Sequence, residues 1–116
     1  MAAKTSVKIL GSELKPKLYQ DLILQLNKDL LLGGIDLKIA LNTTPNNLIK
    51  QLTKLLKELV QHNYQTFNQF MYTLDVSEEK LHNLKQTNLE LLAPELARLV
   101  LERLLQKVIL KAQFKT

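Results

Sequence analysis

Thr44-Pro45-Asn46-Asn47-Leu48-Ile49-Lys50-Gln51-Leu52-Thr53-Lys54-Leu55-Leu56-Lys57-Glu58-Leu59-Val60 opens the stretch that decides the fold, and residues 61–74 continue it. Apolar side chains recur at Leu48, Ile49, Leu52, Leu55, Leu56, Leu59, Val60, Tyr64, Phe67, Phe70, Met71 and Leu74. Steps of three and four draw one stripe along a helix. The spacing predicts a single long helix over 45–74, about 45 Å at 1.5 Å per residue. Thr44 can accept from the free amides of its first turn, and Pro45 suits a first position that needs no donor. No Gly or Pro interrupts 46–93. His62-Asn63 have modest helix propensity and mark where a kink would fall.

On the C-terminal side the stripe breaks at Leu74-Asp75. Ser77 with Glu78 and Glu79 behind it reads as a new helix start, carboxylates at the positive end. Asp75 with Glu78 is an equally good capping pair. A third helix is expected over 77–87, then a turn at Thr87-Asn88. Ala93-Pro94-Glu95 reads as the start of a last helix over 94–112. That helix is apolar around much of its circumference, with Leu99 and Leu110 off the main stripe. Such a helix is either central in a bundle or covered by another subunit.

On the N-terminal side, Pro16 starts a first helix that runs to about Leu32, where Gly33-Gly34 stops it. Its expected inner residues are Leu18, Tyr19, Leu22, Ile23, Leu26, Leu30 and Leu31. Its outer residues include Lys17, Gln20, Asp21, Gln25, Asn27 and Lys28. Ile35, Leu37, Ile39 and Leu41 alternate, which is strand spacing, and a strand there needs a partner for its backbone. Val7–Leu10 is the nearby candidate; a segment merely packed on the bundle is the alternative. The expected fold is all-α: one domain over 1–116, a four-helix bundle-like arrangement around the long helix, with a short extended segment near 35–41. Residues 1–11 read as a tail.

Composition narrows the function classes. The chain has 116 residues, 46% of them hydrophobic, which suffices for one core. It has no Cys, so no disulfide, thiolate metal site or Cys nucleophile. No apolar run reaches the ~18 residues of a membrane span, and the N-terminus lacks a secretory h-region. The expected setting is cytoplasmic, without a membrane partner. The net charge of +5 rests on fourteen Lys and two Arg. Nucleic-acid readers favour Arg, whose fork grips phosphate and guanine.

Candidate sites follow from this pattern. Lys50, Lys54 and Lys57 form a basic strip that can follow a phosphate backbone; an ordinary solvated lysine face is the favoured reading, since Arg is scarce and no aromatic stands among the lysines. Tyr72, Asp75, Ser77, Glu78 and Arg103 make a candidate corner, in which Asp75 or Arg103 would satisfy a buried Tyr72 hydroxyl. Leu99 and Leu110 make a candidate oligomer face. Glu79-x-x-His82 has the spacing of a di-iron ligand pair, but such sites need two of these motifs and two further carboxylates. No phosphate-cradling glycine loop, His-Glu-x-x-His or Gly-x-Ser-x-Gly occurs. No cofactor is expected.

The strings Tyr72-Thr73-Leu74-Asp75-Val76-Ser77-Glu78 and Glu102-Arg103-Leu104-Leu105-Gln106-Lys107 together resemble a family of small uncharacterised bacterial helical proteins. The resemblance covers the second half of the chain and implies an all-helical fold without implying an activity. The leading functional expectation is a non-catalytic protein-interaction or self-association module, with a homo-oligomer or another protein as partner. The alternatives are a nucleic-acid-binding accessory protein acting through the lysine strip, and a ligand-binding or enzymatic helical bundle.

Overall fold

The computed structural model describes residues 6–84 and 87–114. Among these residues the chain is mostly helical, with one small hairpin. The order is β1 (Val7–Ile9), β2 (Ser12–Leu14), α1 (Pro16–Leu32), α2 (Pro45–His62), α3 (Tyr64–Leu74), α4 (Glu78–His82) and α5 (Leu89–Phe114). The all-α expectation holds in outline; the arrangement has five helices rather than four.

Residues 7–11, read above as tail, belong to the hairpin, while 1–5 lie outside the described residues. β1 and β2 pair antiparallel, Val7 opposite Leu14 and Ile9 opposite Ser12. Leu10 (φ 53°) and Gly11 (φ 76°) form the two-residue turn, both left-handed, as the tight hairpin geometry requires. Ile9 and Leu14 are buried, so the hairpin closes the end of the core.

α1 ends as Gly33-Gly34 predicts. Gly34 takes the left-handed conformation (φ 78°). Its N–H donates to the Leu31 carbonyl at 3.1 Å, and the Ile35 N–H donates to Leu30 at 2.9 Å. Two end carbonyls are thereby satisfied. Gly33 serves another purpose. A Cβ there would lie 3.2 Å from the Asp29 carbonyl oxygen and 3.3 Å from Phe70 Cδ1. The missing side chain lets α3 bring the fully buried Phe70 against the end of α1.

The segment 35–41 forms neither strand nor helix, and the Leu37 N–H closes a tight turn on the Ile35 carbonyl at 3.0 Å. Ile35 and Ile39 face the core, while Leu41 is exposed. At Ile39 its backbone is held by one side chain. Asn27 Nδ2 donates to the Ile39 carbonyl at 2.9 Å, and the Ile39 N–H donates to Asn27 Oδ1 at 2.8 Å. The amide of Asn27 offers the donor and acceptor that a neighbouring strand would have offered. The segment then turns, and the Tyr19 hydroxyl donates to the Thr43 carbonyl at 2.7 Å.

Burial raises the pKa of Tyr19 above its ordinary 10.0. The folded state thus holds this proton more tightly than the unfolded chain does. The associated stability is complete below pH 10 and is lost as pH rises through the folded value. Tyr19→Phe is expected to cost about 1 kcal/mol at neutral pH, one hydrogen bond. It should also flatten the fall in stability above pH 10, read as urea midpoints from pH 9 to 11.

The long helix expected over 45–74 is two helices. Asn63 (φ −153°, ψ 68°) ends α2 and its side chain caps α3, accepting from the Thr66 N–H at 3.2 Å. An asparagine that offers the backbone an alternative partner breaks a helix without Gly or Pro. Of the helix expected at 77–87, the described residues form only the short α4, with no buried residue; residues 85 and 86 lie outside the described residues. The last helix begins at Leu89 rather than Pro94, because Asn88 Oδ1 accepts from the Glu90 N–H at 2.8 Å. Pro94 is inside α5. α5 is the central helix, packed against α1, α2 and α3.

Candidate functional site

Two turns of α1 carry polar groups into the core. Asp29 lies seven residues from Leu22, about two helical turns, and so on the same inward face. Gln25 precedes it by one turn. Both are buried. Lys107 and Lys111 on α5 meet them: Lys107 Nζ reaches Asp29 Oδ2 at 2.8 Å, and Lys111 Nζ donates to Gln25 Oε1 at 2.6 Å. Gln25 Nε2 joins the two pairs by donating to Asp29 Oδ1 at 3.2 Å. The four side chains form one ladder across the seam. Numbers rise on α5 as they fall on α1, so the helices run antiparallel.

The Asp29 carboxylate is 3% exposed and the Lys107 side chain 19%. A buried pair of this kind is costly to break and fixes how two elements meet. The sequence reading placed Gln25 on the outer face and gave Asp29, Lys107 and Lys111 no joint role. The available signal was spacing: two polar pairs, each i,i+4, on two helices otherwise apolar on those faces.

Beyond the ladder, the α1–α5 seam opens into a groove of about 770 Å³. Leu18, Leu24, Val108 and Ala112 supply its apolar surface, and Lys15, Lys17, Lys28 and Lys111 stand around it with Asp21. Leu24 is 52% exposed. Lys17 pairs with Asp21 at 3.2 Å. Lys111 is held by a neutral amide, so its charge is not cancelled. Lys15 and Lys28 make no ion pair among the described residues. The groove therefore combines an apolar floor with a net positive rim.

The candidate corner is assembled in part. Asp75 adopts the left-handed conformation (φ 62°) that ends α3, and Val76 N–H donates to the Met71 carbonyl at 3.1 Å. Arg103 from α5 completes this end: its Nε donates to the Leu74 carbonyl at 3.0 Å, and Nη2 lies 3.3 Å from Asp75 Oδ2. Ser77 Oγ caps α4 through the Lys80 N–H at 3.4 Å. Asp75, Ser77 and Arg103 border a cleft of about 270 Å³ with Leu99 and Glu102. Glu78 is exposed in the first turn of α4. Tyr72 is not buried: it is 87% exposed, so its hydroxyl needs no protein partner. Phe67, Phe70, Met71 and Leu74 occupy the core side of α3, and Tyr72 lies off that face.

The lysine strip is not continuous in character. Lys50 and Lys54 are exposed, whereas Lys57 is ion-paired with Glu90 of α5. Both arginines are also engaged, Arg98 with Glu102 at 2.9 Å and Arg103 with Asp75. The oligomer pair separates as well. Leu99 is buried in the core, and only Leu110 is exposed. The two share a face, but Leu110 lies about three turns further on. Glu79 and His82 are both exposed, and among the described residues no group of three His, Asp or Glu is placed to hold a metal. No helix among those residues is long and apolar enough to cross a membrane.

No family model matches the chain, and neither a curated protein nor a solved structure shows significant similarity to it.

Proposed function

We propose that the protein is a non-catalytic interaction module that docks a segment of another protein in the groove between α1 and α5. One observation carries this reading: an open depression of about 770 Å³ with Leu18, Leu24 and Val108 inside it and unpaired lysines around it. Apolar floors with polar rims are the usual form of protein-binding sites. The polar ladder beside it favours the same reading, because it fixes the register of the two helices that form the walls. The reading moves the interaction surface from the Leu99–Leu110 face to the α1–α5 seam, since Leu99 belongs to the core.

The test is site-specific photocrosslinking in the native cell. A benzophenone side chain at position 24 should give a discrete adduct of higher mass. The same group at Gln51, exposed on the outer face of α2, should give none. Absence of an adduct from position 24, or equal adducts from both positions, would overturn the proposal.

A further inference from the structure

We infer that the occupant of the α1–α5 groove is an acidic amphipathic helix of a partner protein, about three turns long; the inference rests on the groove being a docking site. Its chemistry follows from how charge is distributed. Lys15 and Lys17 stand at one end of the α1 wall and Lys28 at the other, with Lys111 on the facing wall. Lys17 and Lys28 are eleven residues apart, roughly 16 Å along the helix axis. A fatty acid or lysolipid carries its charge at one end and would use only one of these positions. A helix with carboxylates spaced along its flanks meets both.

The groove is open to solvent along its length, so an occupant keeps one face wet. That is the situation of an amphipathic helix laid in a groove, with apolar anchors at i, i+3/i+4 and i+7. Leu24, with the half-buried Leu18 and the exposed Ala112, offers those anchors a floor. The first turn of α1 contains no carboxylate. The partial positive charge of that helix end therefore adds to Lys15 and Lys17. A second copy of this chain fits the groove poorly. In a two-fold contact the same patch faces itself, and lysine would meet lysine. No aromatic side chain lines the groove to stack on a nucleobase.

The experiment is a displayed library of fourteen-residue helices with fixed leucine anchors and flanking positions drawn from Glu, Gln and Lys. It is selected on the full chain and counter-selected on Leu24→Asp, an exposed site whose change leaves the core intact, checked by circular dichroism. Groove-dependent binders should be enriched in Glu at the flanks. The double variant Lys15→Glu/Lys28→Glu should weaken them about a hundredfold, on the order of tenfold per reversed rim charge, and should select Lys-flanked helices instead. Groove-dependent binders with neutral or Lys flanks would overturn the acidic occupant and leave groove docking in place. If no binder depends on Leu24, both fail. Binding of palmitate that Leu24→Asp abolishes, with no helix selected, would assign the groove to an amphiphile and overturn the inference.

Discussion

Lys107→Met is expected to destabilise the protein by about 3–5 kcal/mol, the usual cost of leaving one member of a buried ion pair alone. Lys107 is the sole cation that reaches Asp29 among the described residues, at 2.8 Å, and the carboxylate is almost fully enclosed. Gln25 remains as a donor to Asp29, but one neutral amide cannot replace an ammonium group. Against a typical total of about 5–15 kcal/mol, the variant loses a large share of its stability. The double variant Asp29→Leu/Lys107→Met is expected to regain most of the loss, since a packed apolar pair often matches or exceeds a buried ionic one. Urea unfolding of the two single variants and the double at pH 7 gives the coupling directly. A loss within about 0.5 kcal/mol for Lys107→Met, the range of ordinary surface changes, would show that the seam is not held by this pair. The consequence reaches the groove, because Lys111 and Gln25 continue the same ladder into its wall.

Asn27→Leu is expected to cost about 3 kcal/mol, two hydrogen bonds plus partly buried backbone groups left without partners. The loss has a location. Ile39 carries both bonds, so amide exchange in 35–41 should accelerate well beyond that in α1 and α5. Asn27→Asp separates the two bonds. The carboxylate can still accept from the Ile39 N–H but sets an oxygen against the Ile39 carbonyl. Its Ile39 amide should keep more protection than in the Leu variant. Native-state hydrogen exchange reads all three proteins. Unchanged exchange at Ile39 in the Leu variant would mean that apolar packing of Ile35 and Ile39 alone holds the segment.

These two residues show where the sequence was legible and where it was not. Punctuation was readable: Pro16, Gly33-Gly34, Thr44-Pro45 and Ser77 each act through local backbone chemistry, and each stands at the expected helix end. Partners chosen across the fold were not readable. The alternation at 35–41 marked Ile35 and Ile39 as core residues but not the exposed Leu41, and the segment's hydrogen-bond partner is a side chain twelve residues away. The hairpin at 7–14 escaped notice because its turn places Leu10 in a left-handed conformation, where Gly, Asn or Asp are the usual residues. Asn63 divides the long helix by capping, and Asn88 starts α5 five residues before its inviting proline.

The site was legible only in fragments. Arg103 with Asp75 emerged from the corner reading, though Tyr72 faces solvent. The groove did not emerge, because Lys28 and Lys111 on its two walls are some eighty residues apart in the chain. Lys50, Lys54 and Lys57 drew attention by being close in sequence. Lys15, Lys17, Lys28 and Lys111 are brought together only by the antiparallel packing of α1 and α5.

Docking of a partner segment between α1 and α5 is the proposal to test. The most direct measurement is a ¹⁵N–¹H titration of the labelled protein with an acidic amphipathic helix selected on it. Amide shifts are expected to concentrate at 15–28 and 108–112, while those of α2 and α3 stay in place. Shifts centred on α2 or α3, with the α1–α5 seam unmoved, would contradict it.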